Sequence, residues 1–141
     1  MRMSRKAECA VEAPSGNSGI DFVEVAMAHM SWRSRLQSHI SGEATENWLP
    51  SAAGVDDSCG LGRWLSGNGR DKFGHFSAFR RLEAEHAEFH YFAGVVLARV
   101  LEGYRAEAET VLKNEFSQAT RRILIAINEM NETMRQTAAS S

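Results

Sequence analysis

Cysteine and proline are nearly missing from this sequence, with two of each among 141 residues. Cys9 and Cys59 are too few for a disulfide framework, and that scarcity fits a reducing cytoplasm. A surplus of positive charge is missing too. Lys and Arg number 16 against 18 Asp and Glu, so the net charge of −2 offers no basic footprint for nucleic acid. Long hydrophobic runs are absent as well. The longest stretch of small apolar residues, Phe92–Ala98, falls far short of the ~20 residues that span a bilayer. The basic residues of the opening MRMSRK are not followed by the apolar segment of a secretory signal. No repeat, low-complexity tract or strand-like alternation of useful length occurs. What is left is a soluble, cytoplasmic, all-α chain whose length suits one domain with a single core.

Helical periodicity organises that domain. Residues 1–18 show no period and read as a flexible tail that contains Cys9, and the domain proper runs over 19–138, with 139–141 as a frayed end. From about Ile20 to Ser41, Phe22, Val25, His29, Trp32, Leu36 and Ile40 recur at steps of three and four, with Asp21 in the first turn and Gly42 as a stop. Residues 43–56 read as a connection with at most one helical turn. A short helix is expected to start at Cys59, capped by Asp57 or Ser58, with Leu61, Trp64 and Leu65 as its apolar patch. Ser66–Arg70 reads as a turn. A long helix from about Lys72 to Glu102 carries Phe76, Phe79, Leu82, His86, Phe89, His90, Ala93, Leu97 and Val100, and Gly103 closes it. The last helix, about Arg105 to Arg135, has an apolar face from Ala108 to Met134, widened by Leu124 and Ile125 in a way that suggests a second contact such as a dimer partner. The expected architecture is an up-down, four-helix-bundle-like fold of three long helices and a short Cys-bearing one.

Four potential ligands fall inside these apolar stripes. In a helix at ~100° per residue, His86 and His90 lie one above the other, and Glu88 points to the far side, unlike the base of a zinc-protease helix. His29 points into the core, where it is either a histidine satisfied by a polar neighbour or a metal ligand. Cys59 at a helix N-terminus is either a small buried residue or a thiolate favoured by the exposed amides. Taken together, three histidines and one cysteine complete a tetrahedral zinc shell. His39 and His75 are excluded by distance along their helices. Small Ala93 and Gly94 leave room for a neighbouring element beside the pair, and Glu83 reads as an acceptor behind His86 or as a solvated carboxylate.

The pattern H-x-x-W (His29, Trp32), C-x-L-G-x-W (Cys59, Leu61, Gly62, Trp64) and L-x-x-x-H-x-x-x-H (Leu82, His86, His90) has ligand spacings of 30, 27 and 4 residues. It resembles the chemoreceptor zinc-binding domains, a bacterial regulatory module found on cytoplasmic chemoreceptors and some diguanylate cyclases. Asn114-Glu115-Phe116-Ser117-Gln118-Ala119 is similar to the last helix of that family, so the resemblance covers about residues 20–138. It implies a helical bundle, usually a homodimer, holding one Zn2+ per chain through His29, Cys59, His86 and His90. It also implies a sensor that modulates chemotaxis or cyclic-di-GMP output in response to zinc or to oxidation of the cysteine. Chemoreceptors or diguanylate cyclases are the implied partners.

Two other readings share residues with this one. A structural zinc bundle uses the same four ligands and senses nothing. A hemerythrin- or ferritin-like di-iron protein would exploit Glu83-Ala84-Glu85-His86, but that design needs the Glu-x-x-His motif twice, and it occurs once. Four protein ligands leave no open position for water, so no enzymatic activity is expected.

Overall fold

The first apolar stripe folds as two helices in line rather than one: α1 (Phe22–Met30) and α2 (Trp32–Ser41). The break falls at Ser31. Its hydroxyl donates to the Ala28 carbonyl at 2.7 Å, and its N–H is shared between the Met27 and Ala28 carbonyls. Such local bonding by serine competes with the regular helical ladder. Asp21 caps α1 by accepting from the amides of Val23 and Glu24, and Gly42 ends α2 in the left-handed conformation at φ 84°. The six stripe residues expected to face inward, Phe22, Val25, His29, Trp32, Leu36 and Ile40, are all buried.

The computed structural model of the protein describes residues 20–54 and 59–140. The expected tail with Cys9, and the cap candidates Asp57 and Ser58, lie outside the described residues. Within the connection, Pro50–Ala53 form the single turn α3, which Pro50 opens at a position where its missing N–H costs nothing. Cys59 is itself the N-cap of α4 (Gly60–Ser66) rather than its first residue. The turn expected over Ser66–Arg70 narrows to Gly67, and α5 (Asn68–Phe73) follows at once.

The long helix α6 spans Ser77–Leu101, so it begins later than the expected Lys72. Residues 74–76 form a corner instead, which takes His75 off the helix. Gly103, at φ 88°, closes the far end as expected. The final arm is not a uniform helix. It comprises α7 (Arg105–Val111), a π-helical turn over Leu112–Phe116, and α8 (Ser117–Ser140), which continues past the expected end at Arg135. The Ser117 hydroxyl donates to the Leu112 carbonyl at 2.8 Å across that turn.

Helix α6 is the centre of the bundle. It packs against α2, α3, α4 and the α7–α8 arm, and α1 lies along α8. Among the described residues all regular structure is helical, and one core joins the stripes of the three long arms. Surface pairs stitch α6 to α8, with Arg122 bonding both Glu85 and Glu88 and Arg81 bonding Glu129. Such exposed pairs add little stability compared with the core. The core placement has a direct test on α6 itself. Leu82→Ala, at a fully buried position, is predicted to cost about 2–5 kcal/mol. Tyr91→Gln, at a position 60% exposed, is predicted to change stability by less than about 0.5 kcal/mol. Urea denaturation followed by helical circular dichroism checks both, and equal midpoints for the two variants would contradict this packing.

Candidate metal centre

Three elements bring the ligands together. His29 comes from the last turn of α1, Cys59 caps α4, and His86 and His90 sit one turn apart on α6. One ligand atom from each residue lies within 4.8 Å of all the others. The His86 Nε2 to His90 Nε2 distance is 3.0 Å, and Cys59 Sγ lies 3.2 Å from His86 Nε2 and 3.8 Å from His90 Nε2. A zinc ion with legs of ~2.0–2.1 Å to nitrogen and ~2.3 Å to sulfur spaces its ligand atoms by about 3.3–3.6 Å. The donor set suits a tetrahedral zinc and these three distances lie near that spacing, while separations in the group that reach up to 4.8 Å have to close on binding.

Burial explains why this grouping needs chemistry rather than water. The histidines are 0–1% exposed and Cys59 is 4% exposed. Phe89 packs edge-on to His29 at 4.9 Å, and Trp32 packs edge-on to His90 at 4.7 Å. Arg35 then covers the next aromatic layer, lying 3.6 Å over the Trp48 ring while it forms two hydrogen bonds with Glu46 at 2.8 and 3.0 Å. Those hydrogen bonds hold the Glu46 carboxyl below the ordinary carboxylate range, against the opposing effect of its partial burial.

Backbone carbonyls orient two of the rings. His29 Nδ1–H donates to the Val25 carbonyl at 2.8 Å, and His90 Nδ1–H donates to the Ala53 carbonyl at 3.0 Å. A neutral imidazole that donates through Nδ1 keeps a lone pair on Nε2, the atom turned toward the other ligands. Burial lowers the pKa of His29 from 6.5 to about 3; a charge on His90 acts in the same direction, and the Val25 hydrogen bond opposes it. The folded chain thus holds His29 in the neutral, metal-binding form. The Gly62 amide approaches Cys59 Sγ at 3.4 Å, a donor suited to a negatively charged sulfur. Cys59 is disulfide-bonded in the structure, and zinc requires the reduced thiolate of the same sulfur.

All four residues singled out from the stripes, His29, Cys59, His86 and His90, meet at this point. Glu83 does not stand behind His86: it pairs with Arg70 at the surface. The acceptors are the carbonyls of Val25 and Ala53, which carry no residue-type signal. The only trace of the second was the small pair Ala93–Gly94, whose neighbour proves to be α3. His39 bonds Glu46 at 3.1 Å and His75 packs on Phe76, so neither joins the group. Among the described residues no carboxylate joins it either, and Glu83, the glutamate of the Glu-x-x-His motif, is taken by Arg70, so the motif supplies no carboxylate for a di-iron site.

The family model described as the chemoreceptor zinc-binding domain matches residues 29–97, a span that contains all four ligands. No curated protein and no solved structure matches the chain.

The neutral His29 sets the sign of a pH dependence. The unfolded chain takes up this proton near pH 6.5, whereas the folded chain resists it until about pH 3. Between those values the unfolded state binds more protons, so the metal-free protein loses stability as pH falls, by up to about 1.4 kcal/mol per pH unit for this one group. Urea midpoints measured from pH 7.5 down to pH 4.5 are predicted to fall, with a shallower slope in His29→Gln.

Proposed function

Because the chain belongs through residues 29–97 to the chemoreceptor zinc-binding domain family, we propose that it is a regulatory zinc-binding sensor rather than an enzyme. One observation carries the reading: four nitrogen and sulfur donors from three separate elements converge in a fully buried group. Zinc bound there would tie α1, α4 and α6 to one point, so its free energy of binding would become free energy of bundle stability. Losing it would loosen all three elements together. Four protein ligands leave no position for a substrate water, which argues against hydrolysis.

Cys59 is the variable member. Its thiolate can ligate zinc or react with an oxidant, and one sulfur cannot do both. With hypochlorous acid the thiolate takes up the hydroxyl oxygen with its hydrogen and chlorine leaves as chloride, giving a sulfenic acid that no longer serves as the fourth ligand. The histidines keep their positions on α1 and α6. The signal would pass to a chemoreceptor or a diguanylate cyclase in the cytoplasm. A homodimer is supported by unpartnered apolar side chains on one side of the bundle: Val23, Met27 and Met30 on α1 are more than half exposed, beside a groove of 280 Å³ shared with Leu124 and Ile127. Among the described residues no helix is long and apolar enough to cross a membrane.

Metal analysis of reduced protein purified without added metal tests the site. About one zinc per chain is expected, falling at least tenfold in occupancy under a competing chelator in Cys59→Ala and in His90→Ala. Zinc retained equally by both variants would defeat the assignment. Sensing is tested separately by adding hypochlorous acid to the zinc-loaded protein and following zinc release with a chromogenic chelator. Release that depends on Cys59, with a drop in thermal stability, is expected. If zinc stays bound while the oxidant is consumed, the site is structural and the redox role fails.

A further inference from the structure

We propose that Gly94 and Gly54 are positioning residues of the metal site, because their backbone contact seats α3 against α6 and thereby fixes His90 for ligation. The proposal rests on the zinc reading above. It adds residues that lie outside the four-ligand set and touch no metal.

Helix α3 is one turn long. Its internal bonds, such as Ala53 N–H to the Leu49 carbonyl at 3.1 Å and Gly54 N–H to the Pro50 carbonyl at 2.8 Å, are too few to hold a helix unaided. Docking on α6 therefore decides where it sits. At the contact a Cβ on Gly94 would lie 3.1 Å from the Gly54 Cα and 3.1 Å from the Pro50 carbonyl oxygen. Both are backbone atoms, so no side chain can swing aside, and even alanine at 94 would push α3 away by a few tenths of an ångström or more. Gly94 lies one turn beyond His90 on α6, and Gly54 directly follows Ala53, the residue whose carbonyl accepts from His90 Nδ1 at 3.0 Å.

That hydrogen bond does two things. It holds the ring's rotation, and it keeps the proton on Nδ1 so that Nε2 offers its lone pair. With α3 displaced, His90 loses the acceptor that fixes its tautomer, and the proton is free to move to Nε2, where it blocks ligation. Simple packing glycines would have a different consequence. Their loss would lower the stability of the metal-free fold and leave the affinity and the ligand field unchanged.

The experiment compares reduced wild type, Gly94→Ala and Gly54→Ala. Zinc affinity is read by competition with a chromogenic chelator, and the ligand field by the visible spectrum of the cobalt(II)-loaded protein. Gly94→Ala is expected to bind zinc about tenfold to a hundredfold more weakly, the range typical of losing a partner behind a metal-binding histidine, with altered cobalt(II) band intensities. Gly54→Ala should lose less, since its new Cβ would lie 3.8 Å from the nearest α6 atoms, although it crowds the Pro50 carbonyl of its own turn. Wild-type affinity and an unchanged cobalt(II) spectrum in Gly94→Ala would overturn the proposal. Should Gly94→Ala fail to fold, Gly54→Ala decides: weakened binding supports the assignment, and unchanged binding overturns it. A wild type that binds no zinc would instead defeat the reading of the site, so the two failures are distinguishable.

Discussion

The constraint on which the rest of the bundle depends is the burial of three imidazoles and one sulfur at a single point. Ring nitrogens removed from water need partners, and an unmet polar group in a core costs about 1–3 kcal/mol. For His29 and His90 the need is met from two directions. Carbonyls of Val25 and Ala53 take the Nδ1 protons of His29 and His90 on the outside, and the Nε2 atoms turn inward toward one another and Cys59. The aromatic wall of Trp32 and Phe89 keeps water away, which holds His29 neutral and makes the inner lone pairs available.

The surrounding fold follows from that arrangement. Helix α6 supplies two of the four donors, and it occupies the centre with α2, α3, α4 and the α7–α8 arm docked on it. Helix α1 carries His29 to it, and α4 begins at the sulfur, its N-terminus formed by the ligand itself. The α7–α8 arm contributes no donor. Its role is to complete the core through Phe116, which packs on Phe89, the ring that in turn packs on His29.

Much of this was legible in the residues because the informative ones are side chains on periodic faces. Phe22 to Ile40 and Phe79 to Leu97 repeat at three and four, and the histidines interrupt an apolar stripe where packing alone would not choose them. What escaped was set by backbone geometry. Ser31 splits the first helix through a local hydroxyl bond, the corner at 74–76 delays α6, and the π turn at 112–116 hides inside a stripe that looks regular. The acceptors behind the site escaped for the same reason, since a carbonyl is available at every position. Glu83 was a plausible substitute on spacing, but Arg70 offered it a surface partner.

The π turn has a consequence for the geometry of α8. Widening one turn is equivalent to inserting a residue, so the helix beyond it is rotated by roughly 100° relative to a uniform continuation of α7. Leu112 and Phe116 both stay directed at the core through this turn, and so do Ile123, Ile127 and Met130 after it. The direction in which Ile125 faces outward, and the azimuth at which α8 arrives at Ser140, are therefore set within five residues near the Phe89–Phe116 contact. The turn acts as a fixed offset between two lengths of one helical rod. Removing a single residue from it would force a choice between keeping the inner face seated and keeping the outer face aimed.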